Sequence, residues 1–217
     1  MENQPMRAFH NDPVFKAALL AEIRKHEEAD AFVKGSYDAS LPNRFQGCSI
    51  GCTLHSLNTL NGKYCPTPGR VDTHTRFPTE LEIPIELAYH FDTLFEHLPD
   101  AESQTWTRRW VEAIPAGANL ESVIPDLLQW MILDPTEGFI ALAKPEHHEA
   151  YQVFALLVAL DWQEPGCVTD ADWAEVEISL ATCEVWAGAW AWVGAWAWAE
   201  SYSRLSAVTL QLLREAK

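Results

Sequence analysis

The apolar residues of this chain recur at three- and four-residue intervals over most of its length, the spacing of helices that bury one face. Asn11-Asp12-Pro13 offers a cap followed by a proline in the first turn. Val14, Leu19, Leu20 and Ile23 then continue as an apolar face to about Ala31, closed by Lys34-Gly35. Residues 36–45, SYDASLPNRF, turn loop-like, and the stretch QGCSIGCTLHS at 46–56 opens a short second helix ended by Asn61-Gly62, Pro66 and Pro68. After an irregular, basic connection to Arg76, Pro84 begins a helix on which Leu87, Phe91, Leu94, Phe95 and Leu98 share a face. Asp100 is expected to cap the next, which carries Trp106 and Trp110, and Asn119 to start one containing Leu127, Trp130 and Met131.

The second half continues the pattern. Residues 145–160, PEHHEAYQVFALLVAL, read as a helix ending before Glu164-Pro165-Gly166, and Thr169-Asp170-Ala171-Asp172 resembles a capping box with Asp in the place of Glu or Gln. From there to Lys217 no proline or strong turn signal intervenes, which predicts one long helix or two with a slight break. One segment contests a helical reading. In 188–199 the unit GAWAWV is followed by GAWAWA, and Trp186, Trp190, Trp192, Trp196 and Trp198 all fall at even positions, a strand period. Alanine, however, is the best helix former and is depleted in strands, and a strand here would have no pairing partner. As a helix, the run sends its indoles out on at least two faces and must be covered on several sides. That is a central core helix, or a Trp patch used for dimerisation or partner binding. The expected fold class is all-α, a multi-helix bundle with a long Ala/Trp-rich C-terminal helix. It forms a single domain over 1–217, with a subdivision into a Cys/His-containing part (1–76) and an acidic part (77–217) as the variant.

Composition supports a sizeable core, since 217 residues at 48% hydrophobic content exclude a disordered chain. The first residues, MENQPMRAFHNDP, lack the basic start and apolar run of a secretory signal, and the longest uncharged apolar stretch, 185–199, is shorter than a bilayer requires. Five cysteines without a secretory signal point to reduced thiols, and the expectation is a cytoplasmic protein.

Charge sharpens the picture most. The formal net charge is −16, and residues 110–203 hold fifteen Asp or Glu against one basic residue, Lys144. Direct contact with a phosphate backbone needs clustered Lys and Arg, so this segment argues against nucleic acid as partner. Glu184 and Glu200 flank the Trp run where a membrane-surface helix would carry lysines, which argues against a membrane. An acidic surface instead suits a protein partner with a basic face, steering the encounter and competing with nucleic acid for that partner. Asp161, Glu164, Asp170, Asp172, Glu175 and Glu177 are the candidate partner-binding residues.

Chemistry concentrates in QGCSIGCTLHS. On a helix, Cys48, Cys52 and His55 stand at i, i+4 and i+7 and share a face, with Cys65 in a loop able to fold back. Two or three thiolates and an imidazole at this spacing suit zinc, the one cofactor the sequence suggests. The spacing Cys-x3-Cys-x2-His also resembles the cluster motif of radical S-adenosylmethionine enzymes with its third cysteine replaced, although the strands of that fold are missing. Gln46 to Cys52 resembles the glutamine-to-cysteine segment of papain-like proteases over seven residues. That resemblance implies Cys52 as a nucleophile and His55, His74 or His148 as its base, but Thr53 stands where the family has tryptophan. Set against these is a packing role. Gly47 and Gly51 are also i and i+4 and leave one side of the helix bare for a neighbouring backbone, while buried cysteine acts as a small hydrophobe. His90 and His97 flank an apolar face and read as satisfied boundary residues, and His147 and His148 point to different faces.

Across most of its length the chain is similar to a group of uncharacterised phage and proteobacterial proteins. The similarity rests on a GCxxGCTLHS-like segment, the helix start Ile83-Pro84-Ile85-Glu86-Leu87-Ala88, and Ala-rich C-terminal helices. That group has no established activity and supplies no catalytic residues. What the resemblance implies is a small acidic, host-directed factor, such as an anti-CRISPR or other anti-defence inhibitor that occludes a basic nucleic-acid-binding surface.

Overall fold

A computed structural model describes residues 5–40, 44–62, 73–181 and 199–217, together with the backbone but not the side chains of 199–201. The described residues form an all-α protein: helices α1 (Pro13–Glu28), α2 (Ser49–Leu60), α3 (Arg76–Leu81), α4 (Ile85–His97), α5 (Asp100–Ala113), α6 (Val123–Leu133), α7 (His148–Gln163), α8 (Asp170–Ala181) and α9 (Ala199–Glu215). An isolated parallel bridge joins Phe32 to Gly47. The chain divides into two compact units, one made of Met1–Glu121 with Ala199–Lys217 and the other of Ser122–Trp198. No helix among the described residues is long and apolar enough to cross a membrane.

Several helix boundaries follow from local chemistry. Asp12 caps α1, its Oδ1 accepting from the N–H groups of Val14 and Phe15, with Pro13 at the first position. Thr169 and Asp172 form a reciprocal box: Asp172 Oδ2 accepts from the Thr169 N–H at 2.9 Å, and Thr169 Oγ1 accepts from the Asp172 N–H at 3.3 Å. Other boundaries shift. The residue before Asp100, Pro99, occupies the cap position of α5, and Asn119 caps only a turn, accepting from the Glu121 N–H, while α6 begins at Val123. Residues 145–147 form a 3-10 turn, so α7 starts three residues later than its pattern suggests. The connection before Pro84 contains a short helix, α3, held by Arg76, whose guanidinium bonds Glu80 one turn on and Asn58 of α2. The Trp-rich run from 186 to 198 lies outside the described residues.

The first unit is organised around α2. Nine of its twelve residues are buried, among them Leu54 and Leu57 at 0% exposure. Burying each of those leucines stabilises the fold by about 1.5–3 kcal/mol. Two of its buried hydroxyls are satisfied within the helix, Thr53 donating to the Ser49 carbonyl and Ser56 to that of Cys52, while Ser49 Oγ donates to Asp92 of α4. Helices α1 and α4 pack on it, α5 on α1 and α4, and α9 on α4 and α5. Leu87, Phe91, Leu94, Phe95 and Leu98 are all buried, and Phe91 stacks on Trp110 at 4.3 Å between ring centroids. Trp106 Nε1 donates to the Phe91 carbonyl at 3.0 Å. On α1 the core face is Leu19 and Ile23; Val14 is 76% exposed, because its position in the first turn points it away from α2 and α5.

Gly51 on α2, with Gly47 two residues before the helix, explains its burial. A Cβ at either Gly47 or Gly51 would overlap the backbone carbonyl of Tyr37, which crosses the start of the helix at close range. The 46–56 stretch is thus a surface shaped for another segment of main chain. The second unit is smaller. Ile132, Ile140, Tyr151, Ala155, Val176 and Leu180 form its buried centre, drawn from α6, α7, α8 and the short turn after α6.

Two consequences are measurable. Gly51→Ala forces the Tyr37 backbone away from α2 and is expected to cost about 2–4 kcal/mol of stability, read as a lower denaturation midpoint, whereas Ala at exposed Gly35 or Gly62 requires no such displacement of neighbours. The second concerns acid. Burial depresses His90 and His26 to about 4, so both rings stay neutral in the folded protein while the unfolded chain protonates below about 6.5. Unfolding free energy is expected to be full above pH 6.5 and to fall as pH drops towards 4, by up to roughly 3 kcal/mol per ring. Urea titrations at neutral and acidic pH check this.

Candidate functional site

The residues singled out in the 46–56 stretch separate once folded. Cys52 is fully buried and its thiol lies 3.4 Å from the Gly47 carbonyl and 3.8 Å from that of Ala31, both of which accept from it. Burial, then the neighbouring Cys48, push this thiol well above its ordinary range. A nucleophile needs the opposite shift. His55 is engaged by other partners: its Nδ1 lies 3.2 Å from Nε2 of His26 and its ring stacks on Phe45 at 4.1 Å. Burial lowers the pKa of both histidines, so one neutral imidazole donates to the other. Cys65 lies outside the described residues.

Cys48 has different company. It stands immediately before α2, its N–H donating to the Ser36 carbonyl at 2.6 Å, and its sulfur faces the first turn of the helix. Opposite it, α4 presents Asp92 and Glu96, one turn apart and therefore on one face. The sulfur and one oxygen from each carboxylate all lie within 4.8 Å of one another. Burial and the Asp92 charge push the Cys48 thiol up to about 12, and burial likewise raises Glu96. Second contacts fix the carboxylates. Asp92 Oδ2 is 3.1 Å from His74 Nε2, and Glu96 Oε2 accepts from the Gly35 N–H at 2.7 Å. Of the residues considered for a metal, Cys48 is in this cluster and His74 touches it through Asp92. The two carboxylates escaped the sequence reading. Their signal was an acidic i, i+4 pair on a helix whose other turns are apolar, which alone looks like a solvated edge.

The second unit holds a site of another kind. A groove of about 510 Å³ runs along α7 and α8. Its rim carries Glu146, Glu149, Asp172 and Glu175, and its floor Ala150, Val153, Leu157 and Val176. Helical spacing explains the arrangement: Asp172, Glu175, Val176 and Ser179 of α8 recur at three and four residues, as do Glu149, Ala150 and Val153 at the start of α7, with Glu146 in the 3-10 turn just before it. Of the six acidic residues put forward from the sequence, Asp172 and Glu175 line this groove. Asp161 is used locally, accepting from the Gly166 N–H at 3.0 Å, and Glu164, Asp170 and Glu177 are exposed outside the lining. Glu146 and Glu149 are the acidic members that the sequence reading passed over. Beside the groove α7 also exposes Leu156 and Leu160, 56% and 41% accessible.

With this geometry in hand, comparison with family models, with curated proteins and with solved structures gives no match.

Burial orders the thiols by reactivity. Cys167 is exposed while Cys48 and Cys52 are buried and shifted upward, so brief treatment of the native protein with iodoacetamide is expected to modify Cys167 far ahead of those two. Peptide mapping by mass spectrometry reads the order, and rapid labelling of Cys52 would restore a nucleophilic role for it.

Proposed function

We propose that this is a non-enzymatic binding protein whose second unit seats a basic, amphipathic segment of a partner protein in the groove along α7 and α8. The observation that supports this reading is the pairing of an acidic rim with an apolar floor in a unit of strongly unbalanced charge. Residues 122–198 contain twelve Asp or Glu against Lys144 alone. Carboxylates at the rim meet Lys and Arg heads, while the floor takes the apolar stripe of the same segment, a helix-in-groove mode. Rim charges speed association and the floor slows release.

The partner class follows from complementarity. A protein that holds nucleic acid through clustered Lys and Arg presents the segment this groove fits, and covering those residues displaces the phosphates they serve. In its finer form the proposal is a host-directed inhibitor of phage type, of the anti-CRISPR or anti-defence kind, acting by such occlusion. Self-association through exposed apolar residues is the competing use of the same face.

The test uses a Lys/Arg-rich amphipathic helical peptide as probe and the full chain as receptor. Binding is expected to weaken about tenfold or more between about 50 and about 300 mM salt, and the double variant E149K/E175K to bind at least about tenfold more weakly at low salt. Affinity that ignores salt, or is unchanged in the double variant, overturns the reading. Concentration-dependent dimerisation lost in that variant would assign the groove to a second copy instead.

A further inference from the structure

We infer that Cys48, Asp92 and Glu96 form a binding site for a single divalent cation of the zinc class, with His74 as a positioning residue behind Asp92. This is separate from the groove and needs no partner protein.

The donor set comes first. The three ligand atoms lie within 4.8 Å of one another. Ligands around a tetrahedral zinc stand roughly 3.5 Å apart, so side-chain adjustment without backbone movement closes the shell. One sulfur and two carboxylate oxygens suit a borderline ion. Thiolate selects against calcium and magnesium, and three protein ligands leave a fourth position for water or an exogenous ligand.

The surroundings also favour an ion over a plain acidic edge. Cys48 is buried, at 6% exposure, and its sulfur stands within 4.8 Å of an oxygen of each carboxylate. The N–H groups of Gly51 and Ile50 face its sulfur. The ammonium nearest Glu96 is already committed: Lys34 Nζ donates to the Leu98 carbonyl and to Asp100 Oδ1. Glu96 is oriented by one contact and Asp92 by two, and both keep further lone pairs. Glu96 accepts from Gly35 through Oε2, and Asp92 meets His74 through Oδ2 and accepts a long bond from Ser49 Oγ at 3.4 Å through Oδ1. Carboxylates that ligate protein-bound metals are in turn hydrogen-bonded, and His74 supplies such a bond to Asp92. His74 is itself braced, its ring stacked on Tyr89 at 4.4 Å. On binding, the thiol proton passes to solvent and sulfur, as thiolate, forms the bond to the metal.

The experiment is a Co²⁺ titration of the purified, metal-stripped full chain, followed by absorbance and by displacement with Zn²⁺. The expected result is one equivalent bound, a thiolate-to-cobalt charge-transfer band, and loss of that band when zinc is added. C48S is expected to abolish the band. D92N and E96Q should each weaken Co²⁺ binding at least about tenfold, H74N by about tenfold through Asp92, and C52S should leave the band in place. Circular dichroism monitors folding; should C48S fail to fold, the D92N and E96Q affinities decide. No charge-transfer band in the wild type, a band retained by folded C48S, a band lost in C65S but not in C48S, or unchanged affinity in both carboxylate variants overturns the assignment.

Discussion

The first unit depends on the close approach of the Tyr37 carbonyl to the glycine face of α2. Only a chain with no side chain at Gly47, just before the helix, and at Gly51 on it admits another stretch of backbone there. That stretch brings with it the Ser36 carbonyl that receives the Cys48 N–H and the Gly35 N–H that holds Glu96. The same approach helps remove α2 from solvent, and the Thr53 and Ser56 hydroxyls return to the helix's own carbonyls. A bulkier residue at Gly51 would therefore loosen the packing of the helix and the geometry of the carboxylate cluster together.

Charge is apportioned differently in the two units. In the first, nineteen acidic residues face fourteen basic ones, and many are mated: Arg108 bridges Glu27 and Glu112, and Arg24 also reaches Glu112. Such exposed pairs contribute little stability each, but they leave that unit with little field of its own. The second unit has Lys144 as its one Lys or Arg, so most of the net charge of −16 belongs to it. A unit with a small core and strong self-repulsion is costly to build.

How much could be read beforehand depended on whether the deciding contacts were local. Helix identity was legible because caps and apolar faces are local: Asp12 before Pro13, the box at Thr169 and Asp172, and the α4 face from Leu87 to Leu98 all appear as the sequence suggests. The bare glycine side of α2 was legible for the same reason. What escaped depends on distant partners. Nothing near Cys48 in sequence announces Asp92 and Glu96, which α4 delivers from more than forty residues away, and His55 looked like a ligand until His26 and Phe45 arrived from elsewhere to occupy it. The rim of the groove was half legible, since Asp172 and Glu175 were among the predicted acidic residues, whereas Glu146 and Glu149, before and at the start of α7, joined them only when α7 lay along α8.

The first unit is closed by α9, whose residues follow the whole of the second unit in the chain; the Lys217 carbonyl accepts from the Asn119 N–H within that unit. On the ribosome, therefore, the helices α1 to α5 wait without one of their walls while 77 intervening residues, 122–198, are made. The acidic unit has all its parts first and can fold while the older part of the chain is still incomplete, its apolar α4 and α5 surfaces unclosed. Order of manufacture and order of completion are reversed in this molecule. A truncation that spares every residue of the first 121 but removes the last helix would leave the earliest-made part of the protein unfinished.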